Sequence, residues 1–215
     1  MAIVLKGTPE YFFRASPQWS IGALPSEFKD RLQLWEVSDV HRDGGHFAED
    51  SLILGQMDAI VDILSRSVSS DHRLVLWVEG AYLEGELLPC IAAVCGRHDS
   101  PKFHVPSTAK DEICSCYSSS WFSFVYDRMS IGQLMRCGAN WNDLYILGMA
   151  MRESVVDKYR CCDVGSLAIS ELIADTQMFF QTTRHVAELE ILGVGSSAAN
   201  AAQKIGELLG AASTG

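Results

Sequence analysis

The side chains that could do chemistry fall in two clusters. Cys90, Cys95, His98, His104, Cys114 and Cys116 place four thiols and two imidazoles within one stretch of chain. Zinc takes four such ligands in a tetrahedron, often delivered as close pairs, so these six are the metal-ligand candidates and zinc the alternative to having no cofactor. The usual doubled CxxC is missing, and Cys90 and Cys95 bracket the apolar Ile91-Ala92-Ala93-Val94. Buried free cysteine behaves as a small hydrophobe, so ordinary packing is the competing explanation. The second cluster, His41 to Asp50, holds His41, Asp43, His46, Glu49 and Asp50. Imidazoles and carboxylates suit magnesium, manganese, iron or zinc. A solvated loop, with Glu49 and Asp50 in the first turn of a helix, accounts for the same residues.

Nucleophilic catalysis would draw on these clusters. A thiol needs a base and an orienting acid, and Cys114 or Cys116 with His104 or His41 is the available set. His41, Asp43, His46, Cys114 and Cys116 are therefore the catalytic candidates, but no G-x-S-x-G elbow supports a hydroxyl nucleophile. His41-Arg42-Asp43 spells the kinase triplet without its glycine-rich loop or DFG. Gly193-Val194-Gly195-Ser196-Ser197-Ala198 fits a dinucleotide fingerprint. That motif needs a second strand and an acidic residue about 20 positions on. The residues after Ala198 read as one helix and an end, so the glycines are expected to hinge two helices and no cofactor loop is assigned. Glu79, Glu84 and Glu86 are expected on a sheet, as solvation or as an acidic face for a basic partner.

The elements that must position these residues come from periodicity. Apolar residues at Ile53, Met57, Ile60, Val61, Leu64 and Val68 predict an amphipathic helix within Phe47–Val68. Leu74–Val78 predicts a strand, Gly80-Ala81 a hairpin turn and Tyr82–Leu88 its return. Lys102–Val105 and Ser120–Tyr126 add strands. Ser26–Trp35 reads as a short helix. All six prolines lie at or before Pro106, which permits long helices beyond it. Asn142–Cys161, Ser166–Glu190 and Ser197–Leu209 read as those helices. The expected fold is α+β with helix predominating, a small antiparallel sheet at about 74–126, and a helical C-terminal half. A single domain over 1–215 is expected, with a mixed part (1–106) and a mainly helical part (107–215) as its subdivision.

The chain has 215 residues, 48% of them hydrophobic, and a formal charge of −10 spread evenly along its length. No basic stripe is visible, so neither nucleic acid nor an anionic membrane is an expected partner. A protein partner is expected, either basic or a second copy, with the alanine-rich last helix available for self-association. The seven cysteines are odd in number and poorly spaced for a disulfide scaffold. Reduced thiols in the cytoplasm fit better. The first expectation for function is a soluble protein–protein interaction or assembly protein without catalysis, of the acidic inhibitor or self-associating type. The alternative is a metal- or thiol-dependent hydrolase using the His41–Asp50 loop or the Cys90–Cys116 cluster.

Overall fold

The computed structural model describes residues 2–9, 12, 26–39, 52–80, 102–104, 120–126, 145–160, 169–182 and 188–212. In chain order these form β1 (Ala2–Gly7), α1 (Ser26–Lys29), β2 (Leu32–Asp39), α2 (Leu52–Gly55), α3 (Met57–Arg66) and β3 (His72–Gly80). There follow β4 (Lys102–His104), β5 (Ser120–Val125), β6 (Tyr145–Arg152), a 3-10 turn (Glu153–Val155), α4 (Val156–Arg160) and α5 (Ile169–Asp175). The described chain closes with β7 (Thr176–Thr182), β8 (Glu188–Val194) and α6 (Ser197–Ala212).

All eight strands join one sheet in the order β1-β2-β8-β7-β6-β3-β5-β4. Every pairing in it is antiparallel. The expectation of a predominantly helical fold is therefore overturned. The class is α+β, but helix does not predominate, and the sheet is neither small nor confined to 74–126. The C-terminal half supplies β6, β7 and β8. The sheet interleaves strands from both sides of residue 106.

The physical reason lies in burial. In β6 every residue from Ile146 to Met151 is buried, and in β7 all but Gln177 are. A strand covered on both faces loses its alternation and reads as a continuous apolar run. Such a run also satisfies a helical spacing, which is how Leu147, Met151, Val155 and Tyr159 mimic one helix. The two longest helices lie on one face: α3 buries Met57, Ile60, Val61 and Leu64, and α6 buries Ala198, Ala201, Ala202, Ile205 and Leu209, all in one core with Leu74, Leu76, Ala150 and Phe180. The helix expected within Phe47–Val68 is present as α2 and α3, divided at Gln56. The second face packs Phe12, Val156, Tyr159, Leu172 and Ile173 over Leu34, Val75, Leu147, Met149, Phe179 and Leu192.

Other expected elements shift in detail. Ser26–Trp35 divides into α1 and the start of β2. Ser166–Glu190 holds α5, β7 and the start of β8 rather than one helix. β3 forms where Leu74–Val78 predicts it, but β5 and β6 occupy its two edges. The expected return Tyr82–Leu88 lies outside the described residues.

Buried tyrosine ties the short helices together. The Tyr159 hydroxyl faces Asp175 Oδ2 at 2.8 Å and the Glu171 carbonyl at 3.3 Å, so α4 is pinned to both ends of α5. Tyr159→Phe removes that donor and leaves a carboxylate short of a partner. It is expected to destabilise the chain by about 1–2 kcal/mol, measured by urea denaturation against wild type.

Candidate functional site

Antiparallel register assembles the site. One row of paired positions crosses the whole sheet: Leu5, Glu36, Glu190, Gln181, Leu147, Trp77, Ser123 and Lys102. It lies on the second face, where Leu147 packs with Phe12 and Leu34. Directly paired strand residues share a face, and their Cβ atoms stand about 4.5–5.5 Å apart. Glu36 and Glu190 therefore stand at directly opposed positions. The next residues on that face, two along each strand, are Ser38 and its partner Glu188.

The local chemistry is specific. Gln181 Nε2 donates to Glu190 Oε2 and also lies 3.4 Å from the Phe12 carbonyl. The Glu36 carboxylate leans over β1: its Oε1 is 2.6 Å from where a side-chain carbon on Gly7 would sit. Burial pushes the Glu190 carboxyl above the usual glutamate range, and the negative charges of Glu36 and Glu188 add to that; the Gln181 hydrogen bond opposes it. Leu5, beside Glu36, is 54% exposed, the one large apolar side chain so placed among the described residues.

Sequence reasoning nominated other residues. His41, Asp43, His46, Glu84, Glu86, Cys90, Cys95, His98, Cys114 and Cys116 fall outside the described residues. Two nominees are placed. His104 on β4 pairs with Trp121 on β5, which pairs in turn with Glu79 on β3, which pairs with Tyr145 on β6. This row is the next step along the sheet from Trp77, in the direction that leads from Glu190 to Glu188. The structure thus brings the Glu79 and His104 positions into one row, at the same end of the sheet as Glu188.

Glu36, Gln181 and Glu190 were missed. Their signal was present in Glu188-Leu189-Glu190-Ile191, which alternates with period two. Reading Ser166–Glu190 as one helix hid it. The same misreading affected the glycines. Gly193 and Gly195 do not hinge two helices: Gly195, at φ +64°, turns strand β8 into helix α6, and its N–H donates to the Arg31 carbonyl at 3.2 Å. The dinucleotide motif still fails, because β8 has antiparallel neighbours on both sides and the motif belongs to a parallel βαβ unit.

A second polar group sits at the turn into β3. His72 Nδ1 and Asp71 Oδ1 are 2.9 Å apart, and this hydrogen bond holds the exposed Asp71 carboxyl below the usual aspartate range. A carboxylate can orient an imidazole for base catalysis, but no hydroxyl or thiol is hydrogen-bonded to His72 among the described residues. No group of three or more His, Cys, Asp or Glu side chains is placed to hold a metal among the described residues. No helix among them is long and apolar enough to cross a membrane.

No family model, no curated protein and no solved structure matches the chain.

Proposed function

We propose that this chain is a recognition or assembly protein that works without catalysis, and that the acidic seam of β2 and β8 receives a basic protein segment. One observation carries the reading. Three glutamates, Glu36, Glu188 and Glu190, share one face of two neighbouring strands, and the charges acting on Glu190 are the other two. Directly opposed like charges cost a sheet stability. A basic segment laid on the seam offsets that cost, because complementary potential steers association and fixes register. Exposed Leu5 at the edge of the seam gives the same segment an apolar contact. The even charge of −10 favours a basic partner over a second copy of this chain, which would bring the same sign.

A fluorescent lysine-rich peptide tests this, titrated by anisotropy at rising salt. Wild type is expected to bind and to lose affinity steeply as salt screens the seam. Glu36→Gln with Glu188→Gln is expected to weaken binding about tenfold, equivalent to roughly 1.4 kcal/mol. Glu207→Gln, on the exposed side of α6, removes a charge elsewhere and is expected to leave binding unchanged. Equal losses in the seam and α6 variants would reduce the interaction to net charge and overturn the proposal.

A further inference from the structure

We propose that the basic segment adds to the sheet as an extra strand antiparallel to β1, with a basic residue read by Glu36 and, two positions later, an apolar residue read by Leu5. This rests on the acidic seam receiving a basic segment, and fixes how that segment is held.

The edge suits strand addition. Among the described residues β1 starts the strand order and pairs with β2 alone. Every second residue of such a strand turns its backbone N–H and C=O outward, a template for another chain. Alternate side chains take opposite faces. Ala2 and Val4 pack on the core that holds α6. Val4 lies so close to the helix that a β-carbon on Gly206 would stand 2.5 Å from its methyl. β1 is therefore held firmly from one side while its outer edge stays open. Ile3, Leu5 and Gly7 take the second face, in line with the pairing of Leu5 and Glu36.

On that face the edge carries two different contacts. Leu5 is exposed and apolar, so a cross-strand apolar neighbour would cover it. Two residues on, Gly7 has no side chain, and the Glu36 carboxylate takes the space above it. Glu36 belongs to β2, so leaning over Gly7 carries its charge towards the free edge. No cation pairs with Glu36 among the described residues. An added strand runs about 4.8 Å beyond β1, a distance that a lysine or arginine stem spans while its head stays wet.

The order of the two contacts defines the occupant. Every pairing in the sheet is antiparallel. In an antiparallel addition the residue opposite Gly7 precedes the residue opposite Leu5 by two positions, on the same face. The pattern from N to C is basic, any residue, apolar. Main-chain hydrogen bonds supply affinity and the alternate side chains supply specificity. A second copy of this chain does not fit the pattern. Two copies joined edge to edge by a two-fold axis keep like faces together. Gly7 would then oppose Ile3, Leu5 or Gly7 of the other copy, none of them basic, and two charges of −10 would meet.

Two labelled peptides with acetylated and amidated ends test this by anisotropy: Thr-Lys-Thr-Leu-Thr-Val-Thr and its reverse, Thr-Val-Thr-Leu-Thr-Lys-Thr. The forward peptide is expected to bind about threefold to fivefold tighter, the range for cross-strand pairs. Glu36→Gln is expected to erase that preference. Two further forward peptides carry backbone N-methyl groups, one at the odd positions and one at the even. The set whose N–H groups face β1 is expected to lose binding about tenfold or more when methylated, and the other set to keep it. Amide hydrogen exchange is expected to slow at every second residue of β1 in the complex. Equal binding of the two orders, or equal effects of the two methylations, overturns strand addition. So does failure of both orders to bind while the lysine-rich peptide binds, and the seam reading then stands. Failure of all three overturns both proposals.

Discussion

Gly148→Ala is expected to destabilise the chain by about 3 kcal/mol, the upper end of what overfilling a close-packed core costs. Gly148 sits in β6 directly opposite Phe180 of β7 and Leu76 of β3. The Phe180 ring lies across the glycine, so a β-carbon there falls far inside contact distance of three ring atoms. The ring has nowhere to go: Phe180 is fully buried in the core that holds α3 and α6 against the sheet. Urea denaturation measures the loss, and a companion variant identifies its cause. Phe180→Leu alone opens space and costs stability, but with Gly148→Ala the new methyl fills that space. The double variant is expected to be more stable than the sum of the two singles predicts. Additivity within about 0.5 kcal/mol would show that ring and glycine do not compete for one volume. Should Gly148→Ala fail to fold at all, recovery of folding in the double variant answers the same question.

This pair also shows why the sheet was hard to read. Gly148 in an apolar stretch looks like an ordinary helix-interior or core residue until the strand opposite is known. Tertiary pairing, not local preference, explains it. The helix α3 was legible because its buried residues Met57, Ile60, Val61 and Leu64 alternate with exposed or half-buried Asp58, Asp62 and Arg66, leaving one apolar stripe. β6 and β7 were illegible for the opposite reason: both of their faces are covered, so polar and apolar residues do not alternate with the strand period. The absence of proline after Pro106 removed an obstacle to helix, yet antiparallel strands use proline-free sequence equally well.

The candidate site divides along the same line. Glu79 and His104 were singled out by residue type, and register places both in one row. Glu36 and Glu190 are separated by most of the chain and meet only because β8 inserts between β2 and β7. No local spacing rule reaches across such a gap. Their signature is electrostatic and long-range, two like charges where cross-strand pairing favours opposite ones. Violated local rules of this kind are expected at functional or strained sites.

Phe12→Ala is expected to cost about 3–4 kcal/mol, as for truncating a fully buried aromatic side chain. Phe12 is completely buried, and its ring meets the Phe179 ring with centroids 6.2 Å apart at 59°. That tilted geometry adds roughly 0.5–1.5 kcal/mol beyond the area buried. Its carbonyl also lies within reach of the Gln181 amide, so Phe12 fixes the chain over the second face through both ring and backbone. Two measurements separate these contributions. Phe12→Leu keeps part of the apolar contact but opens some space, and is expected to cost less than Phe12→Ala. A double-mutant cycle with Phe179→Leu is expected to show positive coupling from the ring contact. If Phe12→Ala frees the chain from that face, it exposes Leu34, Phe179 and Leu192, which share its core. The urea m-value then falls, because less surface remains to be exposed on unfolding, and protease cleavage near residue 12 quickens. An unchanged stability in Phe12→Ala would mean that the second face is closed without this ring. The Gln181 amide, and with it the Glu190 carboxyl, would then be positioned by the sheet alone.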